Sequence, residues 1–140
     1  MRYMALDVGD VRIGVAISDE LGSTSLPHSV IERTNDAEVL NKVTEIINKY
    51  KVDVLVVGNP INLDGTTGAR SKKTEQFYNY IKKRINIKSL MFDERLTTLA
   101  AQRILLDADV SRKKRKEVID KLAAQQILYS YIEYTKKERN

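Results

Sequence analysis

Apolar positions fall into two periods along the chain, and the alternation between them sets the element order. Residues Arg2 to Val8 and Arg12 to Ser18 are rich in β-favouring types and are joined through Gly9-Asp10, which predicts a hairpin. Gly14 inside the second run marks a place where another piece of backbone comes close. Ser29 to Glu32 offers a short third strand, after a loop that holds Pro27 and His28. Asn35 and Glu38 have capping-box spacing, and Leu40, Val43, Ile47 and Tyr50 then recur at helical intervals. Val54 to Val57 is an unbroken apolar run closed by Gly58, the pattern of a strand covered on both faces. Asn59 to Arg70 is a loop dense in Gly, Pro, Asn, Asp and Thr. Helical spacing returns with Phe77, Ile81 and Ile85, and Ser89 to Phe92 reads as another buried strand. Thr97 or Thr98 caps a short helix through Ala101, Ile104 and Leu105, and Ser111 caps a last helix that runs to about Lys136.

Strands alternating with helices imply parallel members in the sheet, and the early hairpin adds antiparallel ones. The expected fold is therefore α/β, a five-stranded mixed sheet whose first three strands are antiparallel, flanked by helices. No repeat or long linker divides the chain, so residues 1–140 are expected to form a single domain. With 42% hydrophobic and 31% charged residues, a disordered chain is excluded. The absence of cysteine excludes disulfides, thiolate zinc sites and a Cys nucleophile. No apolar run approaches the length of a membrane span, and Asp7 and Asp10 stand where a signal peptide needs apolar residues, so a cytoplasmic protein without membrane contact is expected.

The net charge of +5 has an address. Residues 1–110 hold 15 basic and 15 acidic side chains, whereas residues 111–140 hold nine and four. Five of the nine are consecutive: Arg112, Lys113, Lys114, Arg115 and Lys116. Such a run repels itself unless solvent or an anion screens it, so it is either a solvated helix start or a contact for a phosphate backbone.

Three carboxylates occupy positions that need a reason. Asp7 ends the first strand, and Asp93-Glu94 follows the last one. In α/β sheets the carboxyl ends of strands are where ligands bind. Asp120 shares a helical face with Ala124, Ile127 and Tyr131, where an unpaired carboxylate is costly. Singly these are a turn residue, a partner for Arg95 and a solvated acid. Jointly they suggest a hard-cation site with oxygen ligands, for Mg²⁺ or Mn²⁺. Arg12 and Arg95 lie beside the acidic positions, and Arg70 ends the polar loop; each is a candidate phosphate contact. His28, the only histidine, is a weak candidate for acid–base work. Tyr129, Tyr131 and Tyr134 suit core packing better than base stacking.

The segments Asp7-Val8-Gly9-Asp10-Val11-Arg12-Ile13-Gly14-Val15-Ala16 and Val56-Val57-Gly58-Asn59-Pro60-Ile61-Asn62-Leu63-Asp64-Gly65 resemble the opening and central motifs of the bacterial YqgF/RuvX family. Asp93-Glu94-Arg95-Leu96-Thr97-Thr98 and Asp120-Lys121-Leu122-Ala123-Ala124-Gln125-Gln126-Ile127-Leu128 resemble its last two. The resemblance covers nearly the whole chain, in order. It implies a ribonuclease H-like fold and a nuclease, described for the family as acting in pre-16S ribosomal RNA processing and for some members as a Holliday junction resolvase. It places the acidic triad on Asp7, Glu94 and Asp120, as catalytic groups and metal ligands. Two positions depart from the family: Val11, where a basic residue is common, and Asp109, where a glycine is expected to end the short helix.

The leading expectation is metal-assisted hydrolysis of a phosphodiester in a ribosomal RNA precursor, at its 5′ end. Its substrate contacts are Arg12, Arg70, Arg95 and the run Arg112, Lys113, Lys114, Arg115 and Lys116. Three alternatives stand beside it. One is a resolvase acting on branched, four-way DNA as a homodimer, where RNA trimming would need only a monomer. Another is a module that docks on RNA without catalysis. The third is half of an actin-like ATPase, suggested by Asp7-x-Gly9; the short chain argues against it.

Overall fold

The computed structural model of the chain describes residues 1–61, 64–94 and 112–139, with side chains of the last helix described over 118–138. Among these residues five strands and three helices follow in the order β1 (Tyr3–Val8), β2 (Arg12–Ser18), β3 (Ser25–Glu32), α1 (Asp36–Tyr50), β4 (Val54–Asn59), α2 (Ala69–Lys82), β5 (Lys88–Asp93) and α3 (Arg112–Arg139). The strands form one sheet in the order β3-β2-β1-β4-β5. β1 pairs antiparallel with β2, and β2 with β3; β4 runs parallel to both β1 and β5. The mixed sheet expected from the sequence is the one observed.

Strand periodicity divides the core into two layers. Met4, Leu6, Val8, Ile13, Val15, Leu55 and Val57 pack with Val39, Val43 and Ile47 of α1 and Phe77, Tyr78 and Ile81 of α2. Their strand neighbours Tyr3, Ala5, Ala16, Val54, Val56 and Phe92 pack with Ala124, Ile127, Leu128 and Ile132 of α3. Successive strand side chains alternate faces, so Asp7 belongs with Tyr3 and Ala5 on the α3 side. An acidic residue is thereby carried into the layer under a helix by the same alternation that builds the core.

The helix start at Asn35 is as expected: its side-chain oxygen accepts from the Glu38 N–H at 2.9 Å, while Thr34 Oγ1 donates to the Glu38 carboxylate. Two boundaries differ from expectation. β3 begins at Ser25, so Pro27 and His28 lie in a strand and not in a loop. Pro27 is accommodated because β3 is an edge strand and its pairing with β2 shifts register between Val15 and Ala16. β4 extends to Asn59 and α2 begins at Ala69, so Arg70 sits in the first turn of a helix, not in the loop. The expected short helix after Thr97 or Thr98, the Ser111 cap and Asp109 lie outside the described residues. Among the described residues no helix is long and apolar enough to cross a membrane.

Candidate active site

Asp7 stands at the carboxyl end of the central strand with a glycine on either side. Its antiparallel partner on β2 is Gly14. On the other flank Val57 pairs with Leu6, and Gly58 is the next residue of β4. A Cβ at Gly14 would lie 2.0 Å from the Asp120 carbonyl oxygen, and one at Gly58 would lie 2.5 Å from Ile127 Cδ1 and 2.8 Å from Glu94 Oε1. The missing side chains are the space in which α3 and Glu94 come down onto the sheet. Gly14 lets the backbone at Asp120 rest on β2, and Gly58 leaves room for Glu94 to lean over β4. Asp7 lies between them.

The Asp7 side chain is only 12% exposed. Burial raises its pKa above the ordinary 3.8, and the charge of Asp120 pushes the same way. A hydrogen bond with Glu94 and the positive charge of Arg70 oppose that rise. Glu94 is pushed from 4.5 to about 8, first by burial, then by the charge of Asp7 and by the hydrogen bond between the two carboxyls. Both shifts disfavour two negative charges at this point, and the hydrogen bond between the carboxyls favours a proton held by the pair. Asp7 and Asp120 are each met by an arginine. Arg70 Nη2 lies 3.4 Å from Asp7 Oδ1, and Arg12 Nε donates to Asp120 Oδ2 at 3.0 Å.

The structure thus gathers Asp7, Glu94, Asp120, Arg12 and Arg70 at one end of the sheet. Among the described residues no three acidic or His side chains already stand as a metal-binding group, and Asp120 faces Arg12. The donor chemistry nevertheless fits a hard divalent cation. The buried Asp7 and the half-buried Glu94 are joined by a hydrogen bond, a third carboxylate adds charge to the first, and every donor is oxygen. Arg95 lies outside the described residues. Arg112, Lys113, Lys114, Arg115 and Lys116 form the first turns of α3, whose backbone carries them roughly 6 to 12 Å along the axis from Asp120; their side chains lie outside the described residues.

Residues 1–134 match the family described as RuvX, Holliday junction resolvase. The chain belongs to the RuvX family. Relatives of nearly equal length carry the name "Putative pre-16S rRNA nuclease": one from Halothermothrix orenii is 49% identical over 137 residues, covering 98% of both chains. One from Clostridium acetobutylicum is 47% identical over 132 residues, covering 94% of this chain and 98% of the relative. Among solved structures, RuvC of Thermus thermophilus superposes with a TM-score of 0.61 at 11% identity, covering 99% of this chain and 97% of its own. The fowlpox virus resolvase, solved with Holliday junction DNA, superposes with a TM-score of 0.54 at 16% identity, covering 96% and 99%. These likenesses establish the ribonuclease H-like fold of this RuvX family member.

Other candidates lie away from the carboxylates. His28 is bonded through Nδ1 to Ser29 Oγ at 2.7 Å and through Nε2 to Tyr50 OH at 3.1 Å. It lines a cavity of about 560 Å³ with Arg2, Ile17, Leu26 and Tyr50, at the far end of β2 from Arg12. Tyr131 stacks edge-on with Tyr3 and Phe92 in the core, whereas Tyr129 is 53% exposed. Two residues escape sequence reasoning. Gly58 makes room for Glu94, and Asn59 accepts from Ser71 Oγ at 2.9 Å, fixing the first turn of α2 beside the acids. Strand parity is the available signal for Gly58, since it shares a face with Val54 and Val56.

The shared proton predicts how this RuvX family member responds to pH. Glu94 binds its proton more tightly folded than unfolded, so stability is fully present below about 4.5 and is lost as pH rises through about 8. Asp7 shifts in the same direction. Without divalent cations, the melting temperature of the wild type relative to Glu94→Gln should fall between pH 5 and 8. Taking the difference removes the opposing contribution of His28, whose pKa is lowered by burial and then by the charges of Lys49 and Lys121. A difference independent of pH would show that the pair is not crowded.

Proposed function

We propose that the chain is a cytoplasmic, divalent-cation-dependent nuclease. Residues 1–140 act as one catalytic domain, and the substrate is the 5′ region of a 16S ribosomal RNA precursor. The observation that carries this reading is the carboxyl pair of buried Asp7 and half-buried Glu94, placed beside Asp120 by Gly14 and Gly58. The names of relatives at 47–49% identity point to pre-16S ribosomal RNA as the substrate.

Asp7, Glu94 and Asp120 would hold Mg²⁺ or Mn²⁺. When bound, the cation supplies an acidified water and neutralises charge at the leaving oxygen. For this, Glu94 must give up the proton it shares with Asp7, and Asp120 must exchange Arg12 for the cation. The rigid sheet fixes Asp7, and the contact of α3 with Gly14 fixes Asp120, so the reacting groups are held in place before substrate arrives. Arg12 and Arg70 place positive charge at the mouth of the site, and the basic start of α3 extends it along the helix for a polyanion.

The test is cleavage of a labelled 16S precursor RNA and of a four-way DNA junction, with Mg²⁺ or Mn²⁺. Wild-type protein is compared with Glu94→Gln and Asp120→Asn. RNA cleavage by the wild type, lost in both variants, is expected. Cleavage of the junction alone would assign a resolvase, which requires two sites and hence a homodimer. Binding that survives in the variants without any cleavage by the wild type would assign a non-catalytic docking module.

A further inference from the structure

Helix α2 meets the site through its first turn, and that turn is rigidly mounted. Ser71 is 3% exposed and donates to Asn59 at the end of β4, Thr74 is 1% exposed, and Lys73 reaches Asp10 on the β1–β2 hairpin at 3.7 Å. Next to these anchors Arg70 differs in kind. Its side chain is 57% exposed, and of its atoms Nη2 lies against Asp7 at 3.4 Å, a long and weak approach. The backbone is held while the arm is solvated. Arg12 holds Asp120 from the other side at 3.0 Å, so two guanidiniums already stand against the three carboxyls.

A divalent ion among those acids would change that balance. Three carboxylates carry at most three negative charges, and two arginines with a divalent ion carry four positive ones. The excess repels a guanidinium from the position nearest the ion. Arg70, exposed and weakly held, is the group free to leave, and a phosphate is the anion that a displaced guanidinium binds best.

We infer that Arg70 changes partner: it covers Asp7 as an internal counter-ion before a divalent cation enters, and turns to a substrate phosphate once the cation takes Asp7. This rests on the cation-dependent reading above and deepens it. Cation loading and nucleic-acid binding are thereby coupled through one side chain. Removing the arm should tighten cation binding while weakening the substrate complex. A residue with a merely structural role would not produce that opposition.

Mn²⁺ affinity, measured without nucleic acid by the electron paramagnetic resonance of free Mn²⁺, is compared among the wild type, Arg70→Gln, Arg70→Lys and an Asp7→Asn control. Affinity for a labelled 16S precursor RNA is measured by fluorescence anisotropy with and without Ca²⁺. Arg70→Gln should bind Mn²⁺ roughly two- to fivefold more tightly, the scale of a partly exposed ion pair, with Arg70→Lys close to wild type. The wild type should gain RNA affinity when Ca²⁺ is added, and that gain should vanish in Arg70→Gln. Unchanged or weaker Mn²⁺ binding by Arg70→Gln would overturn the exchange, as would a Ca²⁺-dependent gain that survives the substitution. If wild type and Asp7→Asn bind Mn²⁺ alike, the cation reading of the site falls, and this inference with it. An Asp7-dependent signal that is indifferent to Arg70 removes the exchange alone. Because Arg70 is exposed, its variants should melt close to wild type.

Discussion

Asp7→Asn should abolish cation-dependent cleavage and, in the same protein, raise the melting temperature measured without cations. The loss should be on the order of 10³-fold, as for removal of one group that stabilises charge in a transition state. The gain follows from the cause of the raised pKa. Asp7 is buried, its charge is desolvated and Asp120 lies near it, so the folded protein holds the ionised form at a cost. Asparagine keeps the shape, still accepts the hydrogen bond that Glu94 donates and carries no charge. Opposite signs for activity and stability are the signature of a site whose geometry is kept against its own electrostatics. Undiminished cleavage by Asp7→Asn would refute the catalytic assignment. Lost cleavage together with a lower melting temperature would mean that Asp7 supports the fold more than it strains it.

The second large effect is expected at Gly14. The Cβ of Gly14→Ala would fall 2.0 Å from the Asp120 carbonyl oxygen and 2.6 Å from its carbon. Both are backbone atoms of a helix that packs Ala124, Ile127, Leu128 and Ile132 into the core, so no side-chain rotation relieves the clash. The helix must lift or tilt, at about 1–3 kcal/mol for overpacking and a drop in melting temperature of roughly 3–10 °C. Displacing α3 also moves Asp120 away from Asp7. Cleavage at 25 °C, where the variant remains folded, should then fall by more than tenfold, since small misplacements near reacting groups are costly. Gly58→Ala is the comparison. Its clashes are with the ends of Ile127 and Glu94, which can turn aside. Equal stability and cleavage for wild type and Gly14→Ala would remove the close approach as the device that positions Asp120.

Much of this arrangement is legible in the order of residues alone. The succession of apolar runs gives the mixed sheet, because periods of two and of about 3.6 distinguish strands from helices. It also puts Asp7 and Glu94 at strand carboxyl ends and Asp120 on the face of Ala124 and Ile127. Gly14 announces a close approach by standing inside a strand. The start of β3 is not legible in the same way, because Pro27 and His28 read as loop residues. Only the place of β3 at the sheet edge, with its register shift, makes a proline tolerable there. Arg70 reads as a substrate contact, since nothing in a polar stretch says which acid an arginine will meet. Its contact with Asp7 depends on where Ser71 and Asn59 fix the first turn of α2.

By itself the sequence determined what each element presents: which residues share a strand face or a helix face, where a carboxylate interrupts an apolar one, and where the positive charge lies. Those are local properties, set by backbone geometry within a few residues. Only the tertiary structure decided that the faces of β1, β2, β4 and α3 close around a single point. There the carboxyls of Asp7 and Glu94 are raised together, and Arg12 and Arg70 lie against Asp120 and Asp7. That outcome depends on parallel crossovers and on the absence of two side chains at Gly14 and Gly58. The shift of a pKa to about 8 arises from desolvation and charge, which exist only once residues distant in the chain are packed together.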